Sequence, residues 1–430
     1  MNLLGHGANA VSILTQALRR RGVLLAALLA PAARWAGASA PSGLTLHPVP
    51  LPAGAPMAQL HAGGPTGLLA VAHDGGLWAL SPQRAAPRRL AGGLDPATPL
   101  ASGHGRIAGR TAEGGLWVFE LVTGQAQVLR EAGLAPHAGL LVLPLAVLGV
   151  VAADHRLVRF EPGSGGRWRP VARSPEALLP DARPLQADLD GRGDGGHIVV
   201  LAGPDAQRYR HGVLGDAVEA TRVLWLERHG LQVLRALALP PPFVFEDIAP
   251  RPWPLPGRAG ATGLLTVRAG PDGGQLALLS ADPARPALLR LEALGEPVGG
   301  FHRWLAPTTD GRHIAAVHTP HIGGVLHVYS LAGPQLARRW LVADVSTHAI
   351  GSRETDLAVW LQGRLLLPSQ DGRSITRLNP AQDWAEDGAL PLPARVVQTT
   401  ALANGETWAG LLADGQVVLA SPAGRRPSQN

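Results

Sequence analysis

A short hairpin motif recurs along the whole 430-residue chain and limits what it can fold into. In the motif an apolar strand leads into an Asp-Gly or Gly-Gly step, and an alternating strand follows it. The glycine supplies the positive φ that a tight hairpin turn needs. The copy at 154–160 has His155 in place of this glycine, and the copy at 221–227 lacks it and follows a long insertion instead. The eight copies lie at residues 74–82, 113–120, 154–160, 221–227, 273–279, 323–329, 371–378 and 414–422.

The spacing of the copies predicts a β-propeller. They lie about 40 to 65 residues apart, and a period of this size built from short strands is typical of propeller blades. One small sheet cannot bury both of its faces, so blades stack around an axis. We therefore predict an all-β propeller of eight four-stranded blades, in a single domain over residues 39–430. Seven blades, or two stacked β-sandwiches, are the alternatives.

The two ends of the domain contain the strands of one blade. Material for three strands lies after Arg395, at residues 396–402, 407–413 and 416–421. The apolar segment 44–49 near the N-terminus is a strand without a pairing partner next to it in the sequence. We predict that it pairs with the last blade, because this closes the ring and covers two strand edges.

Two residue types are absent, and their absence excludes several chemistries. The chain has no cysteine, and all of its basic residues are arginine. Without lysine there is no Walker-type phosphate loop and no Schiff-base chemistry. Without cysteine there is no disulfide and no iron–sulfur cluster.

Residues 1–38 have the pattern of a signal peptide. A basic cluster precedes twelve apolar residues, 22–33, and small residues lie before Ser39. Twelve apolar residues are too few to cross a bilayer, which takes about 20. The segment that begins Arg20-Arg21 resembles the twin-arginine export motif. We expect the export machinery to deliver the protein to the periplasm or the medium. General secretion and a retained anchor are the alternatives.

The charge does not indicate a nucleic-acid partner. The whole chain has a formal net charge of +6, but residues 1–38 contain four arginines and no acidic residue, so the remainder carries +2. The arginines are scattered among Asp and Glu, which is typical of a solvated mixed surface. We expect no nucleic-acid binding, and we expect a monomer.

Residues 187–200 resemble the FG-GAP/VCBS repeat, a propeller family with an acidic Asp-x-Asp-Gly-x-Gly loop followed by a short apolar strand. The resemblance implies a propeller blade and a calcium site at Asp188, Asp190 and Asp194. Arg192 occupies the third carboxylate position of the family's loop. Calcium takes six to eight oxygen ligands. The alternative is a turn whose carboxylates bond backbone amides and pair with Arg192.

Two connections between second and third strands contain all of the candidate ligand-binding residues. One is the insertion at residues 207–219, and the other is the turn at residues 318–324. Equivalent connections emerge at the same end of a propeller, so the two should lie on one face. The candidate residues are Arg208, Arg210, His211, Asp216, Glu219, His318 and His321.

These side chains allow several chemistries. His318 and His321 with Asp216 or Glu219 have the ligand types of a metal site, and they could also act as an acid–base pair. The arginines of the insertion with His211 are suited to an anionic ligand. In the alternative, His318 is a strand-end residue bonded to a backbone carbonyl and His321 is a turn residue.

The sequence favours a non-enzymatic binding or scaffold protein that takes a protein or a small molecule on its loops. It contains no metalloprotease His-Glu-x-x-His motif and no Gly-x-Ser-x-Gly elbow. The alternative is a metal-assisted hydrolase or an oxidoreductase that uses His318 and His321. We interpret the acidic step Glu246-Asp247 as a bend between blades.

Replacing Arg20 and Arg21 by lysine together should block export, because the twin-arginine route requires the arginine pair. The measurement is the fraction of protein in the periplasm, by cell fractionation and immunoblotting. Arg34→Lys, behind the apolar region, is the matched control and should leave export unchanged. Normal export of the double variant would show that the general secretion route is used.

Overall fold

The computed structural model describes residues 43–52, 54–63, 67–81, 86–285 and 287–422. The predicted leader, residues 1–38, lies outside them. Regular structure in the described residues is almost entirely β-strand, and none of their helices is long and apolar enough to cross a membrane. The four short 3-10 turns are Arg130–Ala132, Ser164–Gly166, Gly212–Leu214 and Pro380–Gln382.

Consecutive strands pair antiparallel into four-stranded units, which we number as blades 1 to 8. Among the described strands, five units are separate sheets, and the strands of blades 4 to 6 are linked into one thirteen-stranded sheet. Blades 1 to 4 comprise β2 (Met57–Gly63), β3 (Gly67–Ala72), β4 (Leu77–Leu80) and β5 (Arg88–Ala91); β6 (Ala101–Gly103), β7 (Arg106–Arg110), β8 (Leu116–Glu120) and β9 (Gln125–Leu129); β10 (Leu140–Leu143), β11 (Ala146–Val150), β12 (Arg156–Pro162) and β13 (Trp168–Ala177); and β14 (Leu185–Ala187), β15 (His197–Asp205), β16 (Glu219–Leu226) and β17 (Val233–Ala238).

The remaining strands form blades 5 to 8 in the same way. They are β19 (Arg251–Pro254), β20 (Thr262–Gly270), β21 (Gly273–Ala281) and β22 (Leu289–Gly295); β23 (Leu305–Thr309), β24 (Ile314–His318), β25 (Val325–Ala332) and β26 (Gln335–Ala343); β27 (Val359–Leu361), β28 (Arg364–Pro368), β29 (Ser374–Asn379) and β30 (Ala385–Pro391); and β31 (Val396–Ala401), β32 (Trp408–Leu412) and β33 (Val417–Pro422) with β1 (Leu44–Pro48). The short β18 (Val244–Phe245) pairs with both β16 and β20, and so joins blades 4 and 5.

The core lies between neighbouring blades because successive side chains of a strand point to opposite faces. In β3, Leu69 and Val71 pack against Ile107 and Trp117 of blade 2. The alternate residues, such as Leu68, face blade 8 instead. Each strand therefore needs apolar residues on both faces, which explains its nearly continuous apolar sequence. Buried apolar clusters fill every junction between neighbouring blades.

The first and last strands close the ring, as the sequence predicts. Strand β1 pairs antiparallel with β33, with Leu44 opposite Pro422 and Pro48 opposite Val418. The junction of blades 8 and 1 is a buried cluster that includes Met57 of β2 and Leu411 of β32. Closure thus joins the two ends of the described chain through both backbone pairing and apolar packing.

One backbone hydrogen bond recurs at all eight blade junctions. A carbonyl at the turn before the third strand of a blade, or at the start of that strand, accepts from the N–H of an apolar residue in the connection to the next blade or at the start of that blade's first strand. The bonds are Gly75 O to Leu94 N (3.1 Å), Gly114 O to Leu134 N (2.8 Å), His155 O to Leu178 N (2.7 Å), Thr221 O to Leu239 N (2.9 Å), Gly274 O to Val298 N (2.8 Å), Gly324 O to Val345 N (3.2 Å), Gly372 O to Val396 N (3.0 Å) and Gly415 O to Met57 N (3.0 Å).

This bond shows that the second-to-third-strand turns and the blade connections lie at the same end of the ring. We call this end the connection end. The insertion in blade 4 and the turn after His318 in blade 6 both belong to it. Histidines in the blade connections also lie at the connection end, so they can contact the insertion and the turn after His318.

Gly75→Ala should destabilise the protein more than Gly105→Ala. Both glycines have the same left-handed φ, +76° and +78°, which costs a substituted residue about 1–2 kcal/mol. A Cβ at Gly75 would lie 2.4 Å from the carbonyl oxygen of Leu94, whereas nothing lies within 4 Å of one at Gly105. Thermal and urea unfolding of the two variants measure the difference. Equal losses of stability in the two variants would show that the left-handed turn conformation alone requires glycine at residue 75.

Candidate functional site

The insertion of blade 4, residues 206–218, is packed down on the ring. At its start the Asp205 carboxylate accepts the backbone N–H groups of Gln207 and Arg208, both at 2.8 Å. Further on, the turn Gly212–Leu214 buries two apolar side chains in the cluster that also contains Trp304. The insertion therefore has a defined position, which many loops of this length do not have.

Arg353 joins the insertion to two other segments. Its Nε donates to Asp181 Oδ2 and its Nη2 to Asp216 Oδ2, both at 2.8 Å. Asp181 precedes blade 4, Asp216 is in the insertion, and Arg353 lies between blades 6 and 7. The backbone N–H of Gly351 adds a bond of 2.9 Å to the carbonyl of Val213. The insertion thus reaches from blade 4 to the connection that follows blade 6.

His211 of the insertion bonds a buried carboxyl group. Its Nδ1 contacts Oε1 of Glu246, whose side chain is fully buried. Burial and the neighbouring charge of Asp247 raise the pKa of Glu246 well above its usual value, and burial lowers the pKa of His211. Both shifts favour a neutral pair in which the carboxyl donates to Nδ1. Oε2 of Glu246 is buried with no hydrogen-bond partner in the described residues, which is less costly for a neutral carboxyl than for a carboxylate.

Other carboxyl groups lie beneath the insertion with Glu246. Glu219 begins β16 and is buried, and burial together with the neighbouring carboxyl groups, Glu246 first, raises its pKa well above the usual value. Asp247 is buried too, but it is paired with Arg251 at 2.7 Å and accepts from the hydroxyl of Thr266 at 3.0 Å. The Glu246-Asp247 step does lie between blades 4 and 5. It also supplies the carboxyl that bonds His211.

An aromatic group lies beside the insertion. The hydroxyl of Tyr209 accepts the backbone N–H of His302 at 3.1 Å. The His302 ring stacks on the His211 ring with centroids 4.7 Å apart and an interplanar angle of 2°. Phe301 makes an edge contact with Tyr209 at 5.1 Å and remains largely exposed.

His321 and His348 form a second histidine pair at the same end. Nε2 of His321 lies 2.6 Å from Nδ1 of His348, and Nε2 of His348 lies 2.8 Å from the carbonyl oxygen of Ser352. Trp304 packs against both rings, with centroid distances of 4.8 Å to His348 and 6.3 Å to His321. Burial, followed by the charges of neighbouring histidines, lowers the pKa of His321 to about 4. Burial likewise lowers the pKa of His348 to about 4.

His318 has different neighbours from His321. It is the last residue of β24 and is buried, with Nε2 2.5 Å from the hydroxyl of Tyr329. Its ring stacks on His327 at 4.0 Å, and burial lowers its pKa to about 3. As in the structural alternative, it is a strand-end histidine, but its partner is a tyrosine hydroxyl and not a backbone carbonyl.

The two arginines of the insertion bond the insertion and its surroundings. Arg208 donates from Nη1 to the carbonyls of Leu239 and Phe243 at 3.0 and 3.2 Å. Arg210 is exposed, and its Nε donates to the carbonyl of Ala206 at 3.0 Å. Arg208 therefore fixes the insertion to the connection after blade 4, whereas exposed Arg210, among the described residues, bonds only the insertion itself, with its Nη2 donating to Oε1 of Gln207.

The acidic loop of blade 4 has its carboxylates engaged by the protein. Asp188 accepts three backbone N–H groups, at 2.7, 2.8 and 3.3 Å. Asp190 lies 3.2 Å from the guanidinium of Arg192. Asp194 accepts the backbone N–H of Gly196 at 2.9 Å. This is the geometry of the turn alternative, and calcium binding at the loop stays a prediction.

The described residues contain no group of three or more His, Asp or Glu side chains placed to hold a metal ion. The site predicted from His318, His321, Asp216 and Glu219 is accordingly not assembled in that form. Asp216 is paired with Arg353 and Glu219 is buried near Glu246.

Four important residues of the connection end were not among the sequence candidates: Glu246, His302, His348 and Arg353. All four lie in connections between blades. The topological argument that selected the turn at 318–324 applies equally to these connections, and its extension to them would have selected His302 and His348. Their pairing with His211 and His321 depends on side-chain directions that no repeat specifies.

A cavity of about 320 Å³ lies beside this network. Its lining combines residues from the beginning, middle and end of the chain, as expected near the axis of a closed ring. Polar members of the lining include Gln59, His137, Arg183, Glu354 and Gln398.

Comparison with known proteins identifies the fold. No family model matches the chain, and no curated protein matches it. Among solved structures, BamB from Moraxella catarrhalis is similar with a TM-score of 0.56 and 13% identity, over 88% of this chain and 100% of that chain. The computationally designed Ika8 protein is similar with a TM-score of 0.52 and 12% identity, over 85% of this chain and 96% of that chain. Sqt1 from Saccharomyces cerevisiae has a TM-score of 0.52 and 10% identity, over 85% of this chain and 95% of that chain. The predicted all-β propeller fold is confirmed.

Arg353→Met should release the insertion and destabilise the protein by about 3 kcal/mol, since removing one partner of a buried ion pair leaves uncompensated charge. Asp181 would lose its cation while the Asp216 charge beside it remains. Urea unfolding measures the stability, and limited proteolysis measures cleavage within residues 206–218. Arg339→Met, which removes the exposed pair with Asp383, is the control and should change neither. Unchanged proteolysis in Arg353→Met would contradict a positioning role for Arg353.

Proposed function

We propose that this propeller is a non-enzymatic binding protein that takes a protein partner at its connection end. The observation that carries the proposal is a group of three exposed apolar side chains around the insertion. Phe301, Ile322 and Ile350 have exposed fractions of 57%, 59% and 72%. They come from three different segments of the connection end, and exposed apolar side chains at one end of a protein are typical of interaction sites.

Each of these side chains is supported by the packed network beneath it. Phe301 contacts Tyr209 of the insertion. Ile322 directly follows His321, whose ring bonds His348. Ile350 directly precedes Gly351, which bonds the insertion backbone. A surface held in this way loses little conformational entropy when a partner binds, which favours affinity.

The contacts give the enzyme alternative little support. That alternative depends on His318 and His321 acting together. His318 bonds Tyr329 inside the blade, whereas His321 bonds His348 at the surface network. His318 is therefore placed to stabilise the fold.

We further propose that the protein acts after export, in the periplasm or the medium, as a monomer. The signal-peptide pattern of residues 1–38 and the absence of cysteine support this location. The similarity to other propellers supports the fold and leaves the partner to be identified.

The test is site-specific photo-cross-linking in the native host. A photoreactive residue at position 322 or 350 should give one discrete adduct, which mass spectrometry identifies. The matched control is position 145, because Leu145 is 68% exposed but lies in a first-to-second-strand turn at the opposite end. Ile322→Asp with Ile350→Asp should abolish the adduct formed from position 301. Adducts only from position 145, or from none of these positions, would reject the proposed binding face.

A further inference from the structure

We propose that His321 and His348 form a two-nitrogen binding site for a borderline transition-metal ion, Zn²⁺ or Cu²⁺. The two ring nitrogens already face each other, with Nε2 of His321 and Nδ1 of His348 2.6 Å apart. Imidazole nitrogen is a preferred ligand of both ions. The site goes beyond the proposed binding function and does not depend on it.

A second contact orients His348 as metal-ligating histidines are usually oriented. Its Nε2 lies 2.8 Å from the carbonyl oxygen of Ser352. A carbonyl can only accept, so Nε2 carries the proton and Nδ1 presents its lone pair to His321. A hydrogen bond from the second ring nitrogen to a carbonyl or carboxylate is the common arrangement behind a metal ligand.

The hydrogen bond between the two rings defines which nitrogens would take the metal. Nε2 of His321 donates to Nδ1 of His348, because the Nε2 proton of His348 is directed at the carbonyl of Ser352. In the proposal the metal ion takes the place of the proton between the two nitrogens. The proton that His321 now shares with His348 can move to its other ring nitrogen when the metal binds.

Metal binding requires the two nitrogens to separate and the two rings to turn, because the nitrogens now point at each other and would have to point at a tetrahedral metal. Zinc–nitrogen bonds of about 2.0–2.1 Å at a tetrahedral angle separate two ligand nitrogens by about 3.3 Å. The two nitrogens would therefore have to move apart by about 0.7 Å from their hydrogen-bonded distance. His321 is in a turn and only partly buried, so its ring can make this movement without opening the core.

Water supplies the remaining ligands in this proposal, since the described residues contain no third His, Asp or Glu placed to complete the set. His211 lies near enough to His321 to influence its pKa, but its Nδ1 is engaged by Glu246. A metal with two protein ligands and open positions binds more weakly than a structural zinc site, which has four protein ligands.

The experiment uses the purified full chain and Zn²⁺ in a non-chelating buffer at pH 7.5. Isothermal titration should show one saturable equivalent of Zn²⁺. His321→Gln should weaken its binding at least tenfold. Cu²⁺ should quench tryptophan fluorescence at the same stoichiometry, because Trp304 packs 4.8 Å from the His348 ring.

His327→Gln is the matched control. His327 also belongs to a histidine pair, in which it stacks on His318, but its Nδ1 faces a backbone carbonyl and not an imidazole nitrogen. This variant should bind Zn²⁺ as the unaltered protein does. Circular dichroism and thermal unfolding confirm that each variant is folded, and partly exposed His321 is the safer position to change than buried His348. Absence of a saturable equivalent in the unaltered protein, or unchanged binding by His321→Gln, would overturn the proposal.

Discussion

The hydrogen bond between a turn carbonyl and the next blade connection is the contact on which the ring depends. It occurs at all eight junctions of the described strands, and it explains why the glycine step is repeated. At Gly324 a Cβ would lie 1.9 Å from the carbonyl oxygen of Val345. In blade 3 His155 adopts the left-handed φ, +52°, that glycine has elsewhere. The bond from Gly415 to Met57 makes ring closure one more case of the same junction.

Where the repeat is interrupted, in blade 4, side-chain contacts position the backbone in place of a tight turn. Blade 4 has no turn glycine, and Thr221 makes the junction bond from the start of its strand. The insertion that precedes this strand has few backbone bonds of its own. Ion pairs and aromatic contacts position it instead, above all Arg353 with Asp181 and Asp216. Titratable residues concentrate in this blade because their side chains hold the insertion in place. The backbone bonds of the repeat do not position this segment.

The fold could be predicted from the sequence because its signals are local. Turn glycines mark each hairpin, and the apolar segment before the first blade has only one edge to join. The site, in contrast, depends on contacts between residues that are far apart in the sequence. Topology alone brings His211 and His321 to one end, but His348 and Glu246 lie in connections without a repeated pattern. His318 could have been assigned from alternation, since it points to the same face of β24 as Ala316, which packs in the cluster that contains Tyr329.

Burial of the charged groups determines what the connection end presents to solvent. Asp247 is paired with Arg251 and Asp216 with Arg353, so these charges are compensated within the protein. Burial lowers the pKa values of His211 and His321 and raises the pKa of Glu246, which favours the neutral form of each. Around the insertion the most exposed groups therefore include the apolar side chains of Phe301, Ile322 and Ile350. In the proposed function, shape and apolar contact decide the affinity at this face, because compensated charges attract a partner only weakly across solvent.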